Sequence, residues 1–98
     1  MNIEIKRNSE EIIMKVVGRL DTTTAPTLEK TINENINDIK NLVLDFKELK
    51  YISSAGLRVL LSAQKKMKNI GSMKVINVCV EIMEIFEMTG FADILSIE

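Results

Sequence analysis

Tyr51-Ile52-Ser53-Ser54-Ala55-Gly56-Leu57-Arg58-Val59-Leu60-Leu61 carries the chain from a connector into an amphipathic helix, and its place between two apolar runs decides the fold. Leu57, Leu60, Leu61 and Met67, interrupted by Gln64, trace the buried side of that helix. Ser54, Arg58, Ser62, Lys65 and Asn69 form its polar stripe. Gly71 is the expected terminator. A helix opens where unpaired backbone N–H groups gather, and that end carries roughly half a positive charge and suits anions. Ser53 precedes the helix and can cap it through the N–H of Ala55 or Gly56. Ser54 begins the polar stripe and is expected to face water. Ala55 and Gly56 are small and should leave room for another molecule to approach. Spacing alone leaves two readings of the serine pair open: helix capping, and acceptance of a phosphoryl group from a partner kinase.

Upstream, Leu42 to Phe46 is apolar except for Asp45, as expected of a strand covered on both faces, and Lys47 to Ile52 reads as a connector. Before it, Ala25, Leu28, Ile32, Ile36 and Ile39 fall on one helical stripe, with Pro26 suited to the first turn. Asp21 to Thr24 is a polar loop of capping residues. Ile3 and Ile5 alternate with Glu4 and Lys6, Asn8 and Ser9 supply turn chemistry, and Ile12 to Leu20 reads as the return strand of a hairpin. Downstream, Lys74 to Cys79 reads as a further buried strand. Glu81 to Thr89 follows as a helix, with Ile82, Ile85, Phe86 and Thr89 inward and Glu81, Glu84 and Glu87 outward. Gly90 is placed as a left-handed terminator, and Ile94 to Ile97 as a short edge strand. Strands alternating with helices predict an α/β domain spanning 1–98 with a mixed, mostly parallel sheet and an N-terminal hairpin.

Hydrophobic residues make up 46% of the chain and charged residues 28%, the balance of a globular domain. The formal net charge of -1 supplies no basic field for nucleic acid, and Lys65, Lys66 and Lys68 read as a solvated helix face. The single cysteine, Cys79, precludes an internal disulfide and reads as a reduced core thiol. The absence of histidine removes the usual general base and metal ligand. Neither a G-x-S-x-G elbow nor a glycine-rich phosphate loop is present, and no acidic pair of a phosphoaspartate receiver follows an early strand. These observations argue against an enzyme, a metal site and a cofactor. With no signal-peptide pattern and no apolar run of about 18 residues, the expected location is the cytoplasm.

The segment Tyr51 to Leu61 resembles the phosphorylation segment of STAS domains, the family of bacterial anti-sigma factor antagonists. Gly18-Arg19-Leu20-Asp21-Thr22-Thr23-Thr24-Ala25 is similar to that family's loop between second strand and first helix. Leu42-Val43-Leu44-Asp45-Phe46 is similar to its central strand, and Thr89-Gly90-Phe91 to the end of its last long helix. The resemblance covers nearly the whole chain in order, and it implies that three to four helices pack mainly on one face of the sheet. It implies that Ser54 is the phosphorylated serine, and that Asp21, Thr24, Ser53, Ala55, Gly56 and Arg58 share a partner-facing surface. Many antagonists carry aspartate where this chain has Ser53, a departure that bears on which kinase recognises it.

The implied mechanism is partner switching. The unmodified protein binds an ATP-binding anti-sigma factor serine kinase and so frees a sigma factor. Phosphorylation at Ser54 breaks the complex, and a serine phosphatase resets it, with no direct contact to nucleic acid or membrane. Local capping of the first helix is the alternative role for Asp21 and Thr24. Arg58, four residues after Ser54, is placed to pair with the phosphate or is an ordinary exposed arginine. The alternative for the whole protein is a STAS scaffold or accessory subunit that is never phosphorylated.

Overall fold

The structure, a computed structural model, describes residues 1–98. Strands β1 (Asn2–Arg7) and β2 (Glu11–Leu20) form the expected antiparallel hairpin, with Ile3 opposite Val16 and Ile5 opposite Met14. Period-two alternation sends Ile12, Met14 and Val16 of β2 into the core and Ile13, Lys15 and Val17 to the other face. Helix α1 (Ala25–Asn35) follows, with proline in its first turn. It is shorter than its apolar stripe: Ile36 caps it, and Ile36 and Ile39 remain buried in the turn beyond. Asn35, Asn37 and Asp38 explain the early stop, because such side chains compete with the helical backbone for hydrogen bonds.

Strand β3 (Asn41–Asp45) then pairs parallel with β2. The stretch Lys47–Ile52, expected as a connector, contains a strand, β4 (Leu49–Ile52), which pairs parallel with the far end of β2. The register shifts between Gly18 and Arg19, and Gly18 adopts φ 105, a left-handed geometry that glycine accepts without a Cβ clash. Helix α2 (Ser54–Lys68) is capped at its end by Asn69. Gly71 is therefore not its left-handed terminator. It lies where a Cβ would run into the carbonyl of Lys40, and that carbonyl accepts the N–H of Ser72 at 2.8 Å.

Strand β5 (Ser72–Ile76) starts and ends earlier than the expected Lys74–Cys79, because Asn77 turns the chain with φ 58. Helix α3 (Val80–Thr89) closes on Gly90 at φ 83, the left-handed terminator expected there. Thr89, expected inward, is exposed and donates its hydroxyl to Ile85 O at 2.7 Å. Instead of an edge strand at 94–97, Phe91–Ile94 forms a short helix, α4, and only Ile97 bridges to Val75.

The sheet order is β1-β2-β3-β5, with β4 on β2. A cluster of 24 buried residues joins α1, α2 and α3 to one face of this sheet. Strand β3 is nonetheless buried on both sides, as expected. Leu42 and Leu44 enter the cluster, whereas Val43 is buried outside it, flanked in register by Ile13 and Lys74. No helix is long and apolar enough to cross a membrane.

Candidate functional site

Because β2 and β4 run parallel, their carboxyl ends bring together the loop after β2 and the start of α2. The N–H of Ser53 closes the seam by donating to Leu20 O at 2.9 Å. Ser53 itself is extended, at φ -101 and ψ 176, the geometry from which a chain turns into a helix. Its Oγ accepts the Gly56 N–H at 3.4 Å, a long bond, and its carbonyl accepts the Leu57 N–H at 3.0 Å. Ser53 is thus the cap. Ser54 is the first helical residue and is exposed. The two serines, interchangeable by composition, are separated by geometry: one hydroxyl serves the helix and the other faces solvent.

Ala55 is half-buried and Gly56 fully buried. A Cβ on Gly56 would stand 2.8 Å from Leu20 Cγ and 2.9 Å from Ile52 Cγ1. The space expected there for a visiting molecule is instead taken by β2 and β4, and Gly56 lets the first turn of α2 rest on them. Arg58 is exposed one turn beyond Ser54, beside a shallow hollow that it shares with Ser62, Lys65 and Lys66.

The Asp21 loop is tied by its own side chains. Asp21 Oδ1 accepts the Thr23 hydroxyl at 2.8 Å and the backbone N–H groups of Thr23 and Thr24 at 3.0 and 3.1 Å. These donors, the Thr23 hydroxyl foremost, hold the Asp21 carboxyl below the usual aspartate range against an opposing desolvation. Thr24 occupies the cap position of α1 but makes no side-chain cap. Its hydroxyl donates to Arg19 O and accepts the Asp21 N–H, each at 2.8 Å. The Asp21 carbonyl takes the Ala25 N–H at 2.8 Å. The loop is therefore closed on itself by side-chain and backbone hydrogen bonds.

Two further residues meet at the same end of the sheet. Arg19 and Tyr51 are register partners, and the guanidinium carbon lies 4.1 Å from the Tyr51 ring centroid. Arg19 Nε also sits 3.8 Å from Asp21 Oδ2. Sequence reasoning assigned neither residue a role, since their meeting depends on the strand at Leu49–Ile52 that it took for a connector.

The STAS domain pattern matches residues 2–98. The chain belongs to the STAS domain family. It is 29% identical over 98 residues to the anti-sigma-B factor antagonist of Bacillus subtilis, across 99% of this chain and 90% of that protein. The anti-sigma factor antagonist SpoIIAA in its unphosphorylated form shares the fold, with a TM-score of 0.85 at 15% identity over 99% of this chain and 88% of that one. The phosphorylated form of Bacillus SpoIIAA does so with a TM-score of 0.78 at 15% identity, over 99% and 91% of the two chains. The mixed sheet with helices on one face is thus the STAS fold, as the resemblance implied. In this STAS domain the exposed Ser54, the tied Asp21 loop and the Arg19–Tyr51 stack stand at one end of the sheet, where β2 and β4 finish.

Proposed function

We propose that this protein is an anti-sigma factor antagonist, a binding regulator rather than an enzyme, working in the cytoplasm as a phosphorylation-controlled partner switch. In its unmodified form it binds an ATP-binding anti-sigma factor serine kinase, which then lets go of its sigma factor. The kinase transfers the γ-phosphoryl group of ATP to Ser54 Oγ, the hydroxyl proton is lost and ADP departs. A serine phosphatase restores the hydroxyl by hydrolysis, releasing inorganic phosphate.

The observation that carries this reading is the division of labour at the start of α2. Ser53 caps while Ser54, the first helical residue, is exposed. A phosphoserine brings about -1.5 to -2 charges. At a helix N-terminus those charges meet unpaired N–H groups, so the fold tolerates them. Against a docked protein the same group must be desolvated, and like charge or lost fit then costs affinity. One modification therefore spares the domain and breaks the complex. The end-to-end match with an anti-sigma-B factor antagonist supports the assignment.

The test combines the protein with ATP and each anti-sigma factor serine kinase encoded in the same genome. Intact mass should rise by one phosphoryl group, and Ser54→Ala should abolish the gain. The unmodified protein and Ser54→Ala should bind the kinase, and Ser54→Asp should not. A protein that gains no phosphoryl group from any of these kinases is a scaffold, and the switch is refuted.

A further inference from the structure

The site leaves one charged group whose placement the capping and phosphorylation chemistry does not use. We propose that Arg19, stacked on Tyr51, is the specificity-determining anchor of the docking surface and receives a carboxylate of the partner protein. This rests on the partner-switch reading above and adds what the partner must present.

A guanidinium has one plane and two usable edges. Here the plane lies over Tyr51, 4.1 Å from the ring centroid, and the Nε edge turns towards Asp21 Oδ2 at 3.8 Å. The edge formed by the two terminal nitrogens is left, on a side chain that is 62% exposed. Two parallel N–H groups match the two oxygens of a carboxylate, which makes Asp or Glu the natural acceptor. The arginine is held ready: stacking and the Asp21 contact restrict its rotamers before association, so less entropy is lost on docking. The formal net charge of -1 counts against a nucleic-acid partner, since the chain offers no basic field for a phosphate backbone.

Position separates this role from pairing with a phosphate on the same chain. Leu20 and Ile52 are register partners buried beneath the helices. Arg19 and Tyr51 each precede one of them by a residue and so project to the opposite face of the sheet. Ser54 begins α2, on the helical side. A partner that reaches both Ser54 and Arg19 must straddle the end of the sheet. Tyr51, 40% exposed beneath the guanidinium, offers an aromatic contact beside it, and tyrosine and arginine are residue types that dominate interface energetics.

The test measures binding of the cognate serine kinase to the unmodified protein by calorimetry, with thermal unfolding confirming that each variant is folded. Arg19→Glu should weaken binding by about a hundredfold, and Arg19→Lys by about tenfold, since lysine keeps the charge without the fork. Tyr51→Leu should cost about fivefold, and Tyr51→Phe, which keeps the ring, should bind as wild type. Reversing the partner's matching acid to arginine should restore affinity to Arg19→Glu. If folded Arg19→Glu binds within about twofold of wild type while Ser54→Asp is released, the anchor is wrong and the switch stands. An Arg19→Glu effect confined to the stability of the phosphorylated protein would equally overturn it, as an intramolecular pair. If wild type binds no kinase, the switch fails and the anchor falls with it.

Discussion

Gly56→Ala sets two opposing effects against each other at the first turn of α2. Alanine is the better helix former by about 1 kcal/mol in a helix interior, and by less near an end. Against that, the new methyl would stand 2.8 Å from Leu20 Cγ, 2.9 Å from Ile52 Cγ1 and 3.0 Å from Leu20 Cδ2. These are not the free tips of flexible side chains. Leu20 and Ile52 are 0% and 3% exposed, and both are locked into the paired ends of β2 and β4. Relief requires the helix start to lift from the sheet, and overpacking of this kind costs about 1–3 kcal/mol. The crowding wins, and the variant should be destabilised by about 1 kcal/mol, lowering Tm by about 4–8 °C for a domain of this size. Urea and thermal unfolding followed by far-UV circular dichroism measure this directly, with the urea m-value unchanged. Gly56→Val should lose more. An alanine variant as stable as wild type would refute the reasoning: the helix start would then be free to slide, and nothing would fix Ser54 outward.

Three other outcomes follow from the site. Ser53→Ala should cost about 1 kcal/mol by removing the cap, while Ser54 remains a phosphoryl acceptor; loss of acceptance in a folded variant would show that the two serines do not divide the work. Asp21→Asn should narrow its stability deficit as pH falls. The folded Asp21 carboxyl is depressed, so its contribution is complete above the ordinary aspartate range and disappears as pH drops through the lower folded value. Thermal melts from neutral pH to below about pH 4 should show the gap closing, and a constant gap would contradict the assignment. Arg58→Ala should leave the unmodified protein nearly unchanged and cost the phosphorylated protein about 0.5 kcal/mol, the scale of an exposed pair one helical turn apart. Equal effects on both forms would discard the pairing.

The alternation of Ile3 and Ile5 with polar neighbours marked the first strand. The apolar helical stripes and the order of strands and helices made the fold legible, because both reflect a buried sheet face under amphipathic helices. What escaped was β4. Its four residues Leu49–Ile52 bury only the two ends, and Lys50 and Tyr51 between them are exposed, so no period shows. Missing it hid the pairing of Arg19 with Tyr51, a contact between positions 32 apart in sequence that no local pattern encodes. The serine pair was legible because capping is local: Ser53 to Gly56 is three residues. The role of Gly56 was misread for the opposite reason. A small residue looks the same in sequence whether it makes room for a visitor or for the protein's own core, and only the approach of Leu20 and Ile52 separates the two.

In the proposed switch, Ser53 in place of the aspartate that the family resemblance leads one to expect changes the electrostatics of the helix start while keeping its cap. Either residue caps a helix about equally well, so the substitution leaves the helix start in place. The charge beside the phosphoacceptor differs. With aspartate, the kinase meets an anion before modification, and the phosphate must then be added next to it. With serine, the helix start is neutral until Ser54 is modified, so the whole change, about -1.5 to -2 charges, comes from the phosphate. The acid that remains is Asp21, held ionised by its threonine donors and set across the seam from α2. In the proposed switch the unmodified docking surface is thus one tethered acid, one stacked arginine and a free hydroxyl. A partner of the proposed switch would have to present a neutral or donor-rich site to Ser54 and an acid to Arg19.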